Sequence, residues 1–252
     1  MTQHAVPRSA MVLAAGLGTR MRPLTLHTPK PLVEVAGQPL IAHVLAPVFK
    51  APLDRIVINA HHLAGQIHDW VAQCASPRLI VSDESACLMD SGGGIKKALP
   101  LLGTDPFYVL NADSFWVERE TDNLSRMAQV WDPELMDLLL LLATPDQATG
   151  YDGAGDFFMD AHNRLQFRGT HPSAPLIYAG CAIVKADLFS SMPDDPFSLS
   201  VLFRQAAEKG RLCGLVLDGA WMHVGTVAAI AETEKHLHDL TLRNKDQAVQ
   251  QS

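Results

Sequence analysis

A doubly wound α/β fold with a mainly parallel sheet is predicted by three features of the sequence. Short, wholly apolar strands alternate with helical patterns in the order strand, helix, strand, helix, strand between Ala10 and Ser82. The first strand runs directly into a glycine-rich turn, as at the ligand crevice of open α/β sheets. The chain is also large enough, at 252 residues with 48% hydrophobic and 19% charged side chains, to bury a substantial core. That length suits one large domain or two small ones, and the chain is read as one.

Ala10–Ala14 is the first strand, apolar throughout as a strand buried on both faces should be. It leads into Leu13-Ala-Ala-Gly16-Leu-Gly18-Thr19-Arg20-Met-Arg22-Pro23-Leu-Thr25, then Thr28-Pro-Lys30-Pro-Leu32. Gly16 and Gly18 let backbone N–H groups lie against a ligand. Arg20, Arg22 and Lys30 concentrate positive charge on a chain of formal charge -7. Together they point to a phosphate site, and the cations set the stretch apart from a plain Gly/Pro surface turn. It is not a P-loop, because Thr19-Arg20 follows Gly18 where Lys is required. Nor is it a dinucleotide-binding turn, since Met21 stands at the third glycine and Pro23 follows soon after.

Pro39 can open a helix carrying Leu40, Ile41, Val44, Leu45 and Val48, which Pro47 bends or shortens. Arg55–Asn59 is the second strand, Leu63, Ile67, Trp70 and Val71 mark a helix over roughly 62–74, and Arg78–Ser82 is the third strand. Gly92-Gly93-Gly94 precedes a helical pattern of Ile95, Ala98, Leu99 and Leu102. These glycines either let backbone pack against something flat or anionic at the helix start, or form a hinge. Phe107–Asn111 is the fourth strand, and Asp113 stands just beyond its C-terminal end. A cap or turn role is open to Asp113; facing a cationic loop, it suits an oxygen ligand for Mg²⁺.

The second half opens with a helix over Asp122–Trp131 and a strand over Leu135–Ala143. A glycine-rich loop from Gly150 to Asp156 leads to a hairpin, Phe157–Met159 and Leu165–Arg168. Ile177–Val184 is a strand with Gly180 inside it, placed there for ligand approach or for a bulge. A helix over Phe197–Lys209, a strand over Leu212–Leu217, a helix over Val227–Leu240 and a frayed polar tail over Arg243–Ser252 complete the reading.

The stretches Leu13–Thr25 and Thr28–Leu32 resemble the signature of the sugar-1-phosphate nucleotidyltransferases, L-A-A-G-x-G-T-R-[ML]-x-P-L-T followed by P-K-P-[LM]. The resemblance extends over roughly residues 10–240. It implies a Rossmann-like sheet with a small sugar-side β subregion, a nucleotide-binding half over about 10–120 and a sugar-binding half over about 121–240. It also implies transfer of a nucleoside monophosphate from a nucleoside triphosphate to a sugar 1-phosphate, with Mg²⁺ or Mn²⁺ as cofactor. Ala14, Ala15, Gly16, Gly18, Thr19, Arg20 and Lys30 would hold the triphosphate. Glu84, Ser91, Gly92 and Gly93 would lie against the nucleotide, in a turn where the family has [ED]-[TS] before glycines and this chain has Asp90-Ser91.

By the same resemblance, Arg20 would hold the leaving pyrophosphate, with Arg22 as helper. Lys30 would place a charge at the reacting phosphates, and Asp113, from the family's N-[GA]-D, would bind the metal. Asn111, Gly150, Asp156, Tyr178 and Gly180 would face the sugar. The sharpest departure is His223, where the family has W-x-D-V-G-T and this chain has Trp221-Met-His223-Val-Gly225-Thr226. Three readings stand: Asp113 alone holds Mg²⁺, His223 ligates the ion or a phosphate, or the site is impaired.

The wording of residues 25–40 looks most like the branch that uridylylates N-acetylmuramate 1-phosphate in cell-wall sugar recycling. Mannose 1-phosphate guanylyltransferases and glucose 1-phosphate thymidylyltransferases are the alternatives inside the class. A catalytically silent nucleotide-sugar-binding regulatory domain is the alternative outside it, motivated by His223.

Other classes are excluded. The acidic balance argues against a nucleic-acid partner. The longest apolar run, Leu138–Ala143, is too short to span a membrane, and Met1–Arg8 lacks the apolar core of a secretory leader. The 4 cysteines form no C-x-x-C pair, and the 11 histidines show no ligand spacing. The expectation is a cytoplasmic monomer or small homo-oligomer.

Overall fold

The computed structural model describes residues 6–250, with side chains as far as Arg243. Met1–Ala5, within the stretch read for a leader, and Gln251-Ser252 of the expected tail lie outside the described residues. In chain order, β1 (Ser9–Leu13) passes through three short 3-10 turns to a ribbon of β2 (Glu34–Val35) and β3 (Gln38–Pro39). Then come α1 (Leu40–Lys50), β4 (Arg55–Ala60), α2 (Ala64–Cys74), β5 (Leu79–Asp83), α3 (Asp90–Leu102) and β6 (Phe107–Asn111). The second half supplies β7 (Ser114–Glu118), α4 (Asn123–Val130), β8 (Leu138–Ala143), β9 (Ala148–Thr149), β10 (Phe157–Met159), β11 (Leu165–Phe167) and β12 (Ile177–Val184). It ends with α5 (Ser200–Glu208), β13 (Leu212–Val216), β14 (Gly219–His223) and α6 (Val227–Gln250).

Seven strands form the central sheet in the order β13-β8-β12-β6-β1-β4-β5. All run one way except β12, which pairs antiparallel with both β6 and β8. Alternation along each strand separates two apolar layers. Val12, Tyr108, Leu110, Leu139 and Leu141 pack with α1 and α2 on one face. Met11, Phe107, Val109, Leu138, Leu140 and Leu142 pack with α3 and α5 on the other. The chain leaves β1 toward β4 and β5, then returns through α3 to β6 on the opposite side of β1. That reversal creates a crevice at the C-terminal ends of β1 and β6.

Local chemistry explains several boundaries and corrects others. Asp122 does not belong to α4 but caps it, its Oδ1 accepting the Ser125 N–H at 2.7 Å. Pro47 lies inside α1 and does not end it, because α1 runs on to Lys50. The expected fraying after Arg243 is not seen, since α6 continues to Gln250. Gly92–Gly94 are not a loop before α3: they lie in its first turns. The strands of a small second sheet, β7-β14-β9, are not among those read from the sequence. No helix among the described residues is long and apolar enough to cross a membrane.

Candidate active site

A cavity of about 460 Å³ occupies the crevice at the ends of β1, β4 and β6. Ala14, Ala15, Gly16, Lys30, Ser91, Asn111 and Asp113, all anticipated from the sequence, line it together with Asn59, Leu88 and Asp90. Gly16 meets open space, leaving its backbone free for close approach by a ligand. Gly18 has φ +60 and lies against Thr25, whose hydroxyl donates to the Gly18 carbonyl at 2.7 Å. A side chain at Gly18 would break that turn. Thr19 and Arg20 follow in a 3-10 turn anchored by the fully buried Met21, and His62 Nε2 bonds the Thr25 carbonyl at 2.8 Å. The loop is thus shaped from both ends.

Lys30 Nζ donates to Asp113 Oδ2 at 2.8 Å, with the two side chains only 13% and 26% exposed. Asp113 arrives at the end of β6, and the antiparallel pairing of β7 with β14 brings His223 beside it: His223 is in register with Ser114, and the Val224 N–H donates to the Asp113 carbonyl at 2.9 Å. Two residues separated by 110 positions therefore meet by strand register. Gly225 completes the contact, because a Cβ there would come within 2.6 Å of His223 Nε2 and 3.3 Å of Arg20 Nη1. Arg20, Lys30, Asp113 and His223 form one cluster.

The cluster sets its own ionisation. Burial pushes the Asp113 carboxyl up, but Lys30, His223 and Arg20 together outweigh it and hold the group below the usual carboxylate range. His223 is pushed down by burial and further by Lys30 and Arg20, against the pull of Asp113, which favours the neutral imidazole. Its ring stacks on Trp221 at 5.7 Å, which fixes its plane. Asp113 Oδ1 accepts no hydrogen bond among the described residues, so one carboxylate oxygen and one neutral imidazole stand free to ligate. No group of three or more His, Cys, Asp or Glu side chains among the described residues could hold a metal unaided. The Asp113 carboxylate oxygen fits an ion completed by phosphate oxygens and water, as Mg²⁺ prefers. It also fits Mn²⁺, for which imidazole is the better ligand.

Other anticipated residues take different places. The Glu84 carboxylate is fully buried behind the cavity wall, where it accepts from Asn59 Nδ2 at 2.7 Å and from the Met89 N–H at 3.2 Å. Asn59 in turn accepts the Ala14 N–H at 2.6 Å. Glu84 therefore orients the wall and does not itself line the cavity. The Gly92 and Gly93 N–H groups donate to the Phe197 carbonyl at 2.8 and 3.1 Å, so they are engaged within the protein and not open to a phosphate. Gly150, with φ +73, packs under the His223 carbonyl, and Gly180, with φ +78, packs against Ser114 and Asn111 at the bulge in β12. Packing accounts for both glycines. Asp156 and Tyr178 line a second, neighbouring cavity. Reading the sequence misses Asn59, although Arg55–Asn59 ends in asparagine just as Phe107–Asn111 does.

Residues 10–151 match the family described as the MobA-like NTP transferase domain. The chain is 43% identical over 235 residues to an N-acetylmuramate α-1-phosphate uridylyltransferase of Caulobacter vibrioides, covering 92% of this chain and 97% of that protein. It is 33% identical over 230 residues to the Neisseria meningitidis serogroup B protein of the same name, covering 89% of this chain and 96% of that one. In three dimensions it is similar to a UDP-glucose pyrophosphorylase solved with UDP-glucose, with TM-score 0.74, 17% identity, and coverage of 92% and 99% of the two chains. At that identity the likeness speaks for the fold alone.

Proposed function

Because the chain belongs to the sugar-1-phosphate nucleotidyltransferase family, we propose that it transfers UMP from UTP to N-acetylmuramate 1-phosphate, giving UDP-N-acetylmuramate and pyrophosphate. The observation that carries this reading is the Lys30–Asp113 pair lining the same crevice as Gly16, with Arg20 and His223 beside it. The choice of base and sugar is supported by similarity along 92% of the chain to a uridylyltransferase acting on that sugar phosphate.

The acceptor's phosphate oxygen attacks the α-phosphorus in line, and pyrophosphate leaves. The protein forms no covalent bond in this step, so its contribution is positioning and charge neutralisation. Gly16 and its neighbours bring backbone donors to the triphosphate. Lys30, held by Asp113, places a fixed charge at the reacting phosphates, and Arg20 stabilises the departing pyrophosphate. Asp113 Oδ1 and the His223 imidazole would hold the divalent ion. Mg²⁺ or Mn²⁺ bound there supplies charge neutralisation at the phosphate oxygens. We place the nucleotide half at about 10–120 and the acceptor half at about 121–240, and the protein in the cytoplasm, where UTP is available, serving reuse of cell-wall sugars.

The test is a pyrophosphate-release screen crossing UTP, CTP, GTP and dTTP with the 1-phosphates of N-acetylmuramate, N-acetylglucosamine, mannose and glucose. UTP with N-acetylmuramate 1-phosphate should give the highest kcat/KM. GTP with mannose 1-phosphate, or dTTP with glucose 1-phosphate, as the best pair would reassign the substrates. Binding without turnover under any divalent metal would show a silent sugar-nucleotide receptor.

A further inference from the structure

Next to the nucleotide cavity, a second cavity of about 500 Å³ opens between the β10–β11 hairpin, β12 and α5. Its volume is in the range that holds small ligands. Phe157, Phe167, Phe203 and Tyr178 give it aromatic walls, of the kind that cover the apolar face of a ring. Three charged side chains line it: Arg168, Arg204 and Asp156.

These charges are not equivalent. Asp156 Oδ2 is turned onto the backbone of β12, accepting the Tyr178 N–H at 2.9 Å. Arg168 is locked by its own donors, with Nε on the Gly155 carbonyl at 2.9 Å and Nη1 on the His171 carbonyl at 2.8 Å. Arg204 lies with its guanidinium 5.2 Å from the centre of the Phe167 ring, and none of its N–H groups meets an acceptor among the described residues. Two cations against one engaged carboxylate leave the cavity net positive. A separate observation also indicates a ligand: Tyr178 keeps its hydroxyl buried without a hydrogen-bond partner. Ser91 of the first cavity accepts the Leu199 N–H at 2.9 Å, next to Ser200 of the second, so the two cavities adjoin.

We propose that this cavity recognises a carboxylate on the acceptor sugar, with Arg204 as the residue that distinguishes acidic from neutral sugars and Arg168 as the second cation. The inference rests on the proposed acceptor. N-acetylmuramate 1-phosphate carries a lactyl carboxylate on its ring in addition to its phosphate, and N-acetylglucosamine 1-phosphate is the same sugar without it. With the phosphate held at Lys30, the ring lies along the aromatic walls and the carboxylate reaches the guanidinium of Arg204. A planar guanidinium pairs two N–H groups with the two carboxylate oxygens, and a neutral sugar would leave them unmatched.

The experiment measures kcat and KM of the full chain with UTP and each of the two N-acetyl sugar 1-phosphates, for the unaltered protein, Arg204→Met and Arg204→Lys. The expected result is a rise in KM for N-acetylmuramate 1-phosphate of about 10- to 100-fold in Arg204→Met, the size of a lost charge-assisted hydrogen bond. Arg204→Lys should recover part of that loss, while KM for UTP and kcat/KM for N-acetylglucosamine 1-phosphate stay within about twofold of the unaltered protein. Equal losses on both sugars would assign Arg204 a structural role and overturn the proposal. So would a preference for the acidic sugar that survives Arg204→Met, with the substrate assignment left standing. An unaltered protein that prefers N-acetylglucosamine 1-phosphate, or turns over neither sugar, overturns the substrate assignment and the carboxylate site together.

Discussion

Phe197 closes over Gly92: its carbonyl accepts the Gly92 N–H at 2.8 Å, and its ring fills the space that a Cβ on Gly92 would need. Ser91 adds a second tie, its Oγ accepting the Leu199 N–H at 2.9 Å. Ser91 lines the crevice cavity, and Ser200, one residue beyond Leu199, lines the second cavity. The start of α3 and the start of α5 are thus fastened together, and the two cavities share a wall. Gly92→Ala should destabilise the protein by about 1–3 kcal/mol and raise KM for both substrates. In urea unfolding, Gly92→Ala combined with Phe197→Ala should cost less than the sum of the two single changes, because the smaller side chain relieves the clash.

The Lys30–Asp113 pair should behave as a catalytic unit. Lys30→Met and Asp113→Asn should each lower kcat by about 100-fold or more, with melting temperatures close to that of the unaltered protein. The double variant should fall little further than the worse single one, since removing either partner already disables the pair. Steady-state kinetics and thermal unfolding on the same preparations check both statements.

His223 should tune the metal requirement. Chelation by EDTA should stop turnover, and either Mg²⁺ or Mn²⁺ should restore it. His223→Asp replaces a neutral imidazole with a second carboxylate, which favours the harder ion. Titrating each metal should show that His223→Asp needs less Mg²⁺ for half-maximal activity and has a lower Mn²⁺-to-Mg²⁺ activity ratio. An unchanged ratio would remove His223 from the metal site.

Asp137 should give the fold an acid-sensitive element far from the site. It is 8% exposed, and its Oδ1 accepts Arg211 Nε at 2.8 Å and Lys185 Nζ at 3.3 Å, joining the segments that flank β8, β12 and β13. Burial pushes its carboxyl up, but Arg211 and Lys185 together hold it below the unfolded value near 3.8. Its contribution is therefore complete above about pH 4 and is lost as pH falls through the lower, folded value. Asp137→Asn should cost about 2–3 kcal/mol at pH 7, and urea midpoints should show a shallower loss between pH 4 and 3 than in the unaltered protein.

The parts of this architecture legible in the sequence are those written in contiguous residues. Apolar strands buried on both faces announce themselves by composition, and the Gly16–Lys30 loop by its glycines and cations, so β1, β4, β5, β6 and the crevice at their ends follow directly. Pairings between distant segments do not. Nothing near Ser114–Glu118 marks it as the partner of Gly219–His223, yet that register brings His223 to Asp113. Gly92–Gly94 illustrate the opposite difficulty. Three glycines imply close approach, but the groups that approach come from distant segments: Phe197, about 100 positions away, at Gly92, and the Glu84 carboxylate and Asn59 amide at Gly94. Glu84 lies between these cases: its place beside the crevice is legible, while its burial behind Asn59 depends on the folded wall.

The strand order β8-β12-β6 has a consequence for how the chain is made. Until Ile177–Val184 has emerged from the ribosome, Phe107–Asn111 has β1 on one side and no neighbour on the other. Its apolar edge, F-Y-V-L-N, is meanwhile an open template for another nascent chain. Insertion of β12 closes that edge and at the same moment carries Tyr178 to the neighbourhood of Asp113. Closure of that edge during synthesis and completion of the second cavity thus depend on the same late-arriving strand.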